Sequence, residues 1–385
     1  MITELKLKNF TAFDDLEIQF SPKINVIIGE NGTGKTLLLK VAYSLCAGNI
    51  GLKAGTQVDS DKIRRAVTSK LLRVFMPMND KIGKMRKIGS TEGAQFEVGL
   101  ELDKKLSASF KSNSKYISIG EDFNYINYDY TPIFIPTKEV LSLIQGVAIE
   151  TTDQETLKRI FDDTYLDLCD FVRRPVKRLN NEELDIDPRF GSIFPEIVNT
   201  IGGKYIFDNG KNFFRQGKYE ERRVRDQHNY GDKTETVFKH NKDAEISNNM
   251  TAEGFRKIGI LQQLLANGSL KPGSSGPLYW DEPEANMNPS LMKLIVRVLL
   301  SLARNGQQVI VSTHDYFLLK WFDILFDKGK DDHVRFHALY HDPDNKEIKI
   351  DSTDKYREIS PNSIAETFSN LTDYEISKSM GGLGK

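Results

Sequence analysis

Only two cysteines, Cys46 and Cys169, occur in the 385 residues of this chain. A disulfide framework is thereby excluded, and a reducing cytosol is the expected setting. No apolar run approaches the roughly 20 residues that cross a bilayer, so no membrane partner is expected. The start, MITELKLKNF, alternates apolar and polar residues like a strand and lacks the apolar core of a signal peptide. An excess of one charge is missing too: 53 basic and 54 acidic residues leave a formal net charge of −1. No global field draws such a chain onto nucleic acid, so any such contact must come from a local patch. Repeats and long heptads are also lacking. These absences predict a soluble cytoplasmic protein, with length enough for two or three domains and a large core.

What is present is an interleaving of strands and helices. TELKLKNF, DLEIQF and the buried-looking INVIIG read as strands, and a helix is expected from Lys35 through LLLKVAYSLC. Residues 61–75 place Ile63, Val67, Leu71, Leu72 and Phe75 at helical spacing. AQFEVGLEL, LSASFKS, YISIG and TPIFIP follow as strands, then a mainly helical region to about residue 200. GGKYIFDNGKNFFRQGKYE reads as a hairpin around Asn209-Gly210, and a helix runs from Ala252 through GILQQLLANG to a glycine stop. GPLYWDEP and QQVIVSTHD read as buried parallel strands separated by the helix PSLMKLIVRVLLSLARNG. The expectation is an α/β fold with a mixed sheet, an antiparallel β part and a helical insertion. The expected units are an N-terminal lobe at 1–136, an insertion at 137–204 and a C-terminal lobe at 205–385. The tail GGLGK is expected to be mobile.

Gly29 to Thr36, GENGTGKT, fit the phosphate loop G-x-x-x-x-G-K-[ST] at every fixed position, between a β-run and a helix. Gly29, Gly32 and Gly34 let the backbone wrap an anion and aim N–H groups at it. Lys35 is expected to reach the β and γ phosphates and Thr36 to bind Mg²⁺, with Asn31 and Thr33 completing the nucleotide-binding set. The plain alternative is a glycine turn beneath a helix.

LYWDEPEANMNPS, residues 278–290, holds three carboxylates within a few positions. They suit metal in a nuclease, activation of water for ATP hydrolysis, or decoration of a helix start. With a phosphate loop upstream, Asp281 ends a strand beside that loop and would hold the metal through water. Glu282 then projects toward the γ-phosphate as the candidate base. Pro283 stops the strand, and Glu284 is expected to cap or flank the next helix.

With MTAEGFRKIG (250–259) shortly before this strand and IVSTHD at the end of the next, the chain resembles the ATP-binding-cassette ATPases of the SMC/RecF/overcoming-lysogenization class. LKNFTAF, GENGTGKT, TAEGFRKIG, DEPEANMNP and STHD carry the resemblance at both ends of the chain. It implies a P-loop NTPase head that uses ATP and Mg²⁺ and dimerises so that each head caps the other's nucleotide. Glu253, Gly254 and Arg256 would then act in trans, Asn286 to Asn288 would form the D-loop between the two heads, and His314 would sense γ-phosphate. Thr11 stands where that class usually carries Arg or Lys, and Asn288 where Asp or His is commoner. Gln145 is a weak candidate for the Q-loop glutamine. FIPTKEVLSLI and FDDTYLDLC look like stand-alone ATPases of bacterial antiphage operons, implying a separate effector partner, a toxin or nuclease. A RecF-like DNA-repair ATPase that binds DNA is the alternative.

Other features stay with plainer readings. Asp342-Pro343-Asp344 is the single D-x-D pair and reads as a turn rather than a nuclease centre. His333, His337 and His341 lie on a strand-like run, where only His337 and His341 share a face. NYINYDYTP (124–132) fits an edge strand better than a base-stacking surface. The basic stretch from Lys62 to Lys87 is either a solvated face or a contact for phosphate backbone or an acidic partner.

Overall fold

The computed structural model describes residues 1–48, 59–121, 130–144, 153–176, 186–208, 211–225 and 232–380. Gln145, the turn Asn209-Gly210, most of 124–132 and the tail from 381 lie outside the described residues.

A six-stranded sheet forms the middle, in the order β14-β13-β3-β12-β11-β7. Its strands are β3 (Ile24–Gly29), β7 (Ile133–Ile135), β11 (Leu278–Asp281), β12 (Val309–Ser312), β13 (Val334–His341) and β14 (Ile348–Thr353). All neighbours run parallel except β13 and β14. Parallel strands buried on both faces read as unbroken apolar runs, and the alternation shows where each face goes. Ile24, Val26, Ile28, Leu278, Trp280, Val309 and Val311 enter one core. Ile27, Tyr279 and Ile310, one residue out of step, enter the other.

That second core lies beneath an antiparallel sheet, β2-β1-β4-β5-β6. Its members are β1 (Ile2–Phe10), β2 (Phe13–Gln19), β4 (Ala94–Leu100), β5 (Lys104–Phe110) and β6 (Ser118–Ile119). Helices α1 (Lys35–Ala47) and α2 (Ser60–Phe75) complete it. On α2, Ile63, Val67 and Leu71 are fully buried, while Leu72 and Phe75 pack on the core's margin. Each fully buried aliphatic side chain of this kind contributes roughly 1.5–3 kcal/mol.

The first core is covered by α3 (Gln154–Ile160), α4 (Asp163–Val172), α5 (Ile193–Ile201), α6 (Glu253–Ala266), α7 (Met292–Arg304) and α8 (Tyr316–Leu325). A three-stranded sheet, β10-β9-β8, joins this side through β8 (Gly203–Asp208), β9 (Lys211–Arg225) and β10 (Asp232–Ser247). The hairpin of β8 and β9 agrees with the sequence reading, but β10 is additional. A last helix, α9 (Ser363–Ser379), has no buried residue.

Lys70 and Arg73 of the basic stretch find acidic partners within the chain. Lys70 pairs with Asp163 at 2.9 Å and with Asp167, and Arg73 reaches Asp163 at 3.0 Å, binding α2 to α4. Asp342-Pro343-Asp344 forms the turn between β13 and β14, with Asp344 N donating to Asp342 Oδ1 at 2.9 Å.

Candidate nucleotide-binding site

The phosphate loop leaves β3 at Gly29, where φ is +151° and a Cβ would stand 2.4 Å from Leu339 O. It enters α1 through Gly34, at φ +87°, where a Cβ would meet the Phe13 ring at 2.9 Å. A side chain at either point collides with a neighbouring element, so glycine is required for the loop to lie against the sheet. No acidic residue and no side-chain cap occupies the first turn of α1, which leaves its N–H groups facing outward for an anion. Thr33, buried, donates its hydroxyl to Glu30 O at 2.9 Å and stiffens the loop, whereas Asn31 and Gly32 are exposed.

Lys35 is buried, and its Nζ donates to Gly29 O at 2.7 Å and Glu30 O at 3.0 Å. Burial lowers its pKa from 10.5, while the carboxylates of Glu282, Asp281 and Glu284 oppose that shift. The ammonium thus rests on two neutral carbonyls that it can exchange for phosphate oxygens.

Asp281 ends β11, which β12 separates from β3. The Thr36 hydroxyl lies 3.0 Å from both of its oxygens, Thr137 Oγ1 donates to Oδ2 at 2.8 Å and Ser312 Oγ to Oδ1 at 2.5 Å. Thr137 and Ser312 were not singled out in the sequence. The usable signal was their place just past or at the carboxyl ends of β7 and β12, the strands flanking β11.

Glu282 takes the left-handed conformation, φ 48°. Its N–H donates to Ser312 O at 3.1 Å and Ser312 Oγ at 3.2 Å, and its Oε1 lies 3.3 Å from Nδ1 of the exposed His314. That turn redirects the chain and overturns the expectation for Glu284. Rather than capping the following helix, Glu284 folds back over the end of β12. There its Oε1 accepts from Thr313 Oγ1 at 2.8 Å and His314 N at 3.0 Å. Burial raises its pKa above 4.5, and its Oε2 has no partner among the described residues. The capping belongs to Asn288, whose side chain accepts from Ser290 N at 2.9 Å in the turn Pro289–Leu291 before α7.

The start of α6 packs against the segment following Glu282. Glu253 Oε1 accepts from Asn286 Nδ2 at 2.8 Å, and a Cβ on the buried Gly254 would stand 3.0 Å from Asn286 O. Arg256, expected to act in trans, has partners within its own chain. Its Nε donates to Glu139 Oε1 at 2.8 Å, with the two side chains only 13% and 4% exposed, and it also reaches Thr251 O. Thr11 turns its hydroxyl back onto Phe10 O at 2.8 Å in the turn between β1 and β2.

Beside the loop, a cavity of about 440 Å³ is bounded by Glu30, Asn31 and His314 on one side and by Ile364, Thr367 and Phe368 of α9 on the other. Phe368 stacks on Tyr316 with ring centroids 3.9 Å apart. The two histidines of β13 differ in their surroundings. His337 is buried between Ser352 Oγ at 2.8 Å and Asn25 Oδ1 at 3.2 Å, and burial holds its pKa down to about 3; His341 is exposed.

Residues 4–195 match the family model described as "AAA domain", and residues 169–320 match the one described as "AAA domain, putative AbiEii toxin, Type IV TA system". Over 44 residues, 11% of the chain, the sequence is 52% identical to the DNA replication and repair protein RecF of Bacillus mycoides (strain KBAB4). A stretch of the same length is 50% identical to RecF of Bacillus cereus (strain B4264), and in both cases the match spans 12% of the relative's length. Among solved structures, the SMC head domain from Thermotoga maritima is similar in outline, with TM-score 0.45, 13% identity, and 91% of this chain and 98% of that one covered. A structure of the SmcHead bound to the C-winged helix domain of ScpA gives TM-score 0.49 at 13% identity, covering 92% of this chain and 97% of that one. By its sheet order, phosphate loop and antiparallel β part, the molecule has an α/β fold of the P-loop NTPase type with a mixed six-stranded sheet.

Proposed function

We propose that the chain binds ATP with Mg²⁺, hydrolyses it, and closes as a dimer around it to switch a separate effector protein. The observation that carries this reading is the Thr36–Asp281 contact at 3.0 Å beside Lys35, with Glu282 the next residue in the chain. Thr36 and Asp281 are hard oxygen donors, the set that suits Mg²⁺, and they would be the residues to hold it. When bound, the ion would neutralise charge on the β and γ phosphates.

Lys35 binds phosphate oxygens in place of Gly29 O and Glu30 O, and the outward N–H groups of α1 orient the chain of phosphates. Glu282 would accept the proton of the attacking water, and His314, whose Nδ1 lies 3.3 Å from one of its carboxylate oxygens, would sense the γ-phosphate. Thr137 and Ser312 hold Asp281 in place. The dimer surface would be formed by Glu253 and the exposed Asn286 and Asn288, with the buried Gly254 packed directly beneath Asn286, so that one copy closes over the other's nucleotide. Arg256 is left out, because it is engaged within its own chain.

An effector that is a toxin or nuclease, in a cytoplasmic antiphage setting, is supported by the toxin system named in the description of the model matching 169–320. The stretch 52% identical to RecF favours a second reading, an ATPase of DNA repair. Purified chain is assayed for Mg²⁺-dependent ATP turnover and ATP-dependent association, alone, with duplex DNA and with the product of the adjoining gene. Turnover changed by the gene product supports the first reading; stimulation by DNA without any partner protein supports the second. Absence of ATP binding defeats both.

A further inference from the structure

We propose that Lys257 is the positioning residue that holds Glu282 in its working geometry and ties that hold to the start of α6. This rests on the reading of Glu282 as the base.

Lys257 lies one turn into α6 and is 0% exposed. Its Nζ donates to the main-chain oxygen of Glu282 at 3.1 Å. Among the described residues no carboxylate stands within ion-pair distance of it, although Glu284, Glu253, Glu282 and Asp281 all act on it from farther away. A buried ammonium without a close counter-charge is costly, and methionine would fill the same space without that cost. Packing alone therefore does not account for a lysine here.

What the lysine grips is an unusual peptide. Glu282 is left-handed, a conformation uncommon outside glycine. Its N–H is held by Ser312 on β12, and its carbonyl by Ala285 N at 3.1 Å and by Lys257. Without the ammonium, only a tight-turn bond restrains the carbonyl. The peptide is then free to rock, and the carboxylate moves with it relative to His314.

The same first turns of α6 also hold Asn286 through Glu253 and Glu139 through Arg256, each at 2.8 Å. Any displacement of the helix start, such as contact with a second copy would produce, is thus passed directly to the backbone of the base. Glu282 is aligned only while α6 is seated.

The test compares Lys257→Met, Lys257→Arg, Glu282→Gln and the Lys257→Met/Glu282→Gln double variant in ATP turnover, ATP affinity and melting. Lys257→Met should lose kcat by on the order of 10- to 100-fold, the scale of a small misplacement of a reacting group. KM and ATP affinity should stay within about threefold, since ground-state binding is untouched. Its melting midpoint should hold or rise, because a buried charge has been removed. Lys257→Arg, which retains a donor, should recover most of the rate, and the double variant should be no slower than Glu282→Gln alone. Lys257→Met turning over at the wild-type rate beside an inactive Glu282→Gln overturns the positioning inference only. So does a Lys257→Met chain that fails to fold, or that loses rate, affinity and melting midpoint together without recovery in Lys257→Arg. Full turnover by Glu282→Gln alone overturns the base reading, and this inference with it.

Discussion

Glu139→Gln removes one charge from a buried pair that joins α6 to the segment after β7. Arg256 Nε and Glu139 Oε1 are 2.8 Å apart, and the side chains are 13% and 4% exposed. Unit charges at that separation attract by about 6 kcal/mol at an effective dielectric near 20. Losing one partner of such a pair costs roughly 3–5 kcal/mol, because the other charge stays buried. The amide keeps the size of the carboxylate and one hydrogen bond, so the expected loss is about 3 kcal/mol, at the lower end of that range. Arg256 also holds Thr251 O and Asn248 O, which lead into α6, so the loosening reaches Glu253 and Gly254. Urea unfolding of Glu139→Gln, Arg256→Met and the double variant gives the three free energies needed. The double variant should lose less than the sum of the singles, since it leaves no unpaired charge behind. A loss below about 1 kcal/mol for Glu139→Gln, the ordinary value of a surface pair, refutes the reasoning. Strictly additive losses do so too.

Lys35→Ala should abolish ATP binding in a folded chain, and calorimetry with unchanged affinity would sink the phosphate-loop assignment. Glu282→Gln should bind ATP yet turn it over roughly 10²–10⁴-fold more slowly, accumulating ATP-bound dimers visible by light scattering. Near-normal turnover would move the role elsewhere. Gly254→Asp brings a side chain within 3.0 Å of Asn286 O, so it should disturb the surface of its own copy. ATP-dependent association should fail while a single copy still binds ATP; association at the wild-type level refutes the placement. His337 is held neutral down to about pH 3, against an ordinary value of 6.5. The unfolded chain therefore takes up the proton first, and stability present above pH 6.5 is lost as pH falls, by about 1.4 kcal/mol per unit. His337→Asn should flatten that slope in unfolding measured from pH 7 to 5, and an unchanged slope counts against it.

Much of the site was legible in the sequence, because its parts are local. A loop that wraps phosphate needs glycines and a lysine at set spacing, which GENGTGKT displays. Strands buried on both faces must be apolar throughout, so INVIIG, GPLYWD and QQVIVS announced a parallel sheet, and Asp281 and Glu282 fell at its carboxyl edge. Partners were not legible. Thr36 and Asp281 lie 245 positions apart, and only the strand order β3-β12-β11 brings them together. β10 escaped notice because a half-exposed ribbon need not alternate cleanly, and α9 went unread although Ile364, Phe368 and Leu371 recur at helical spacing. Glu284 read as capping or flanking a helix until the left-handed turn at Glu282 carried it over β12, and Arg256 read as acting in trans, with no sign in the sequence of Glu139 beside it. Residue type and spacing determined which groups can bind a nucleotide. Which of those groups face it, and which are engaged in holding the others, was decided by packing, since hydrogen bonds and ion pairs depend on distances in space that no spacing along the chain encodes.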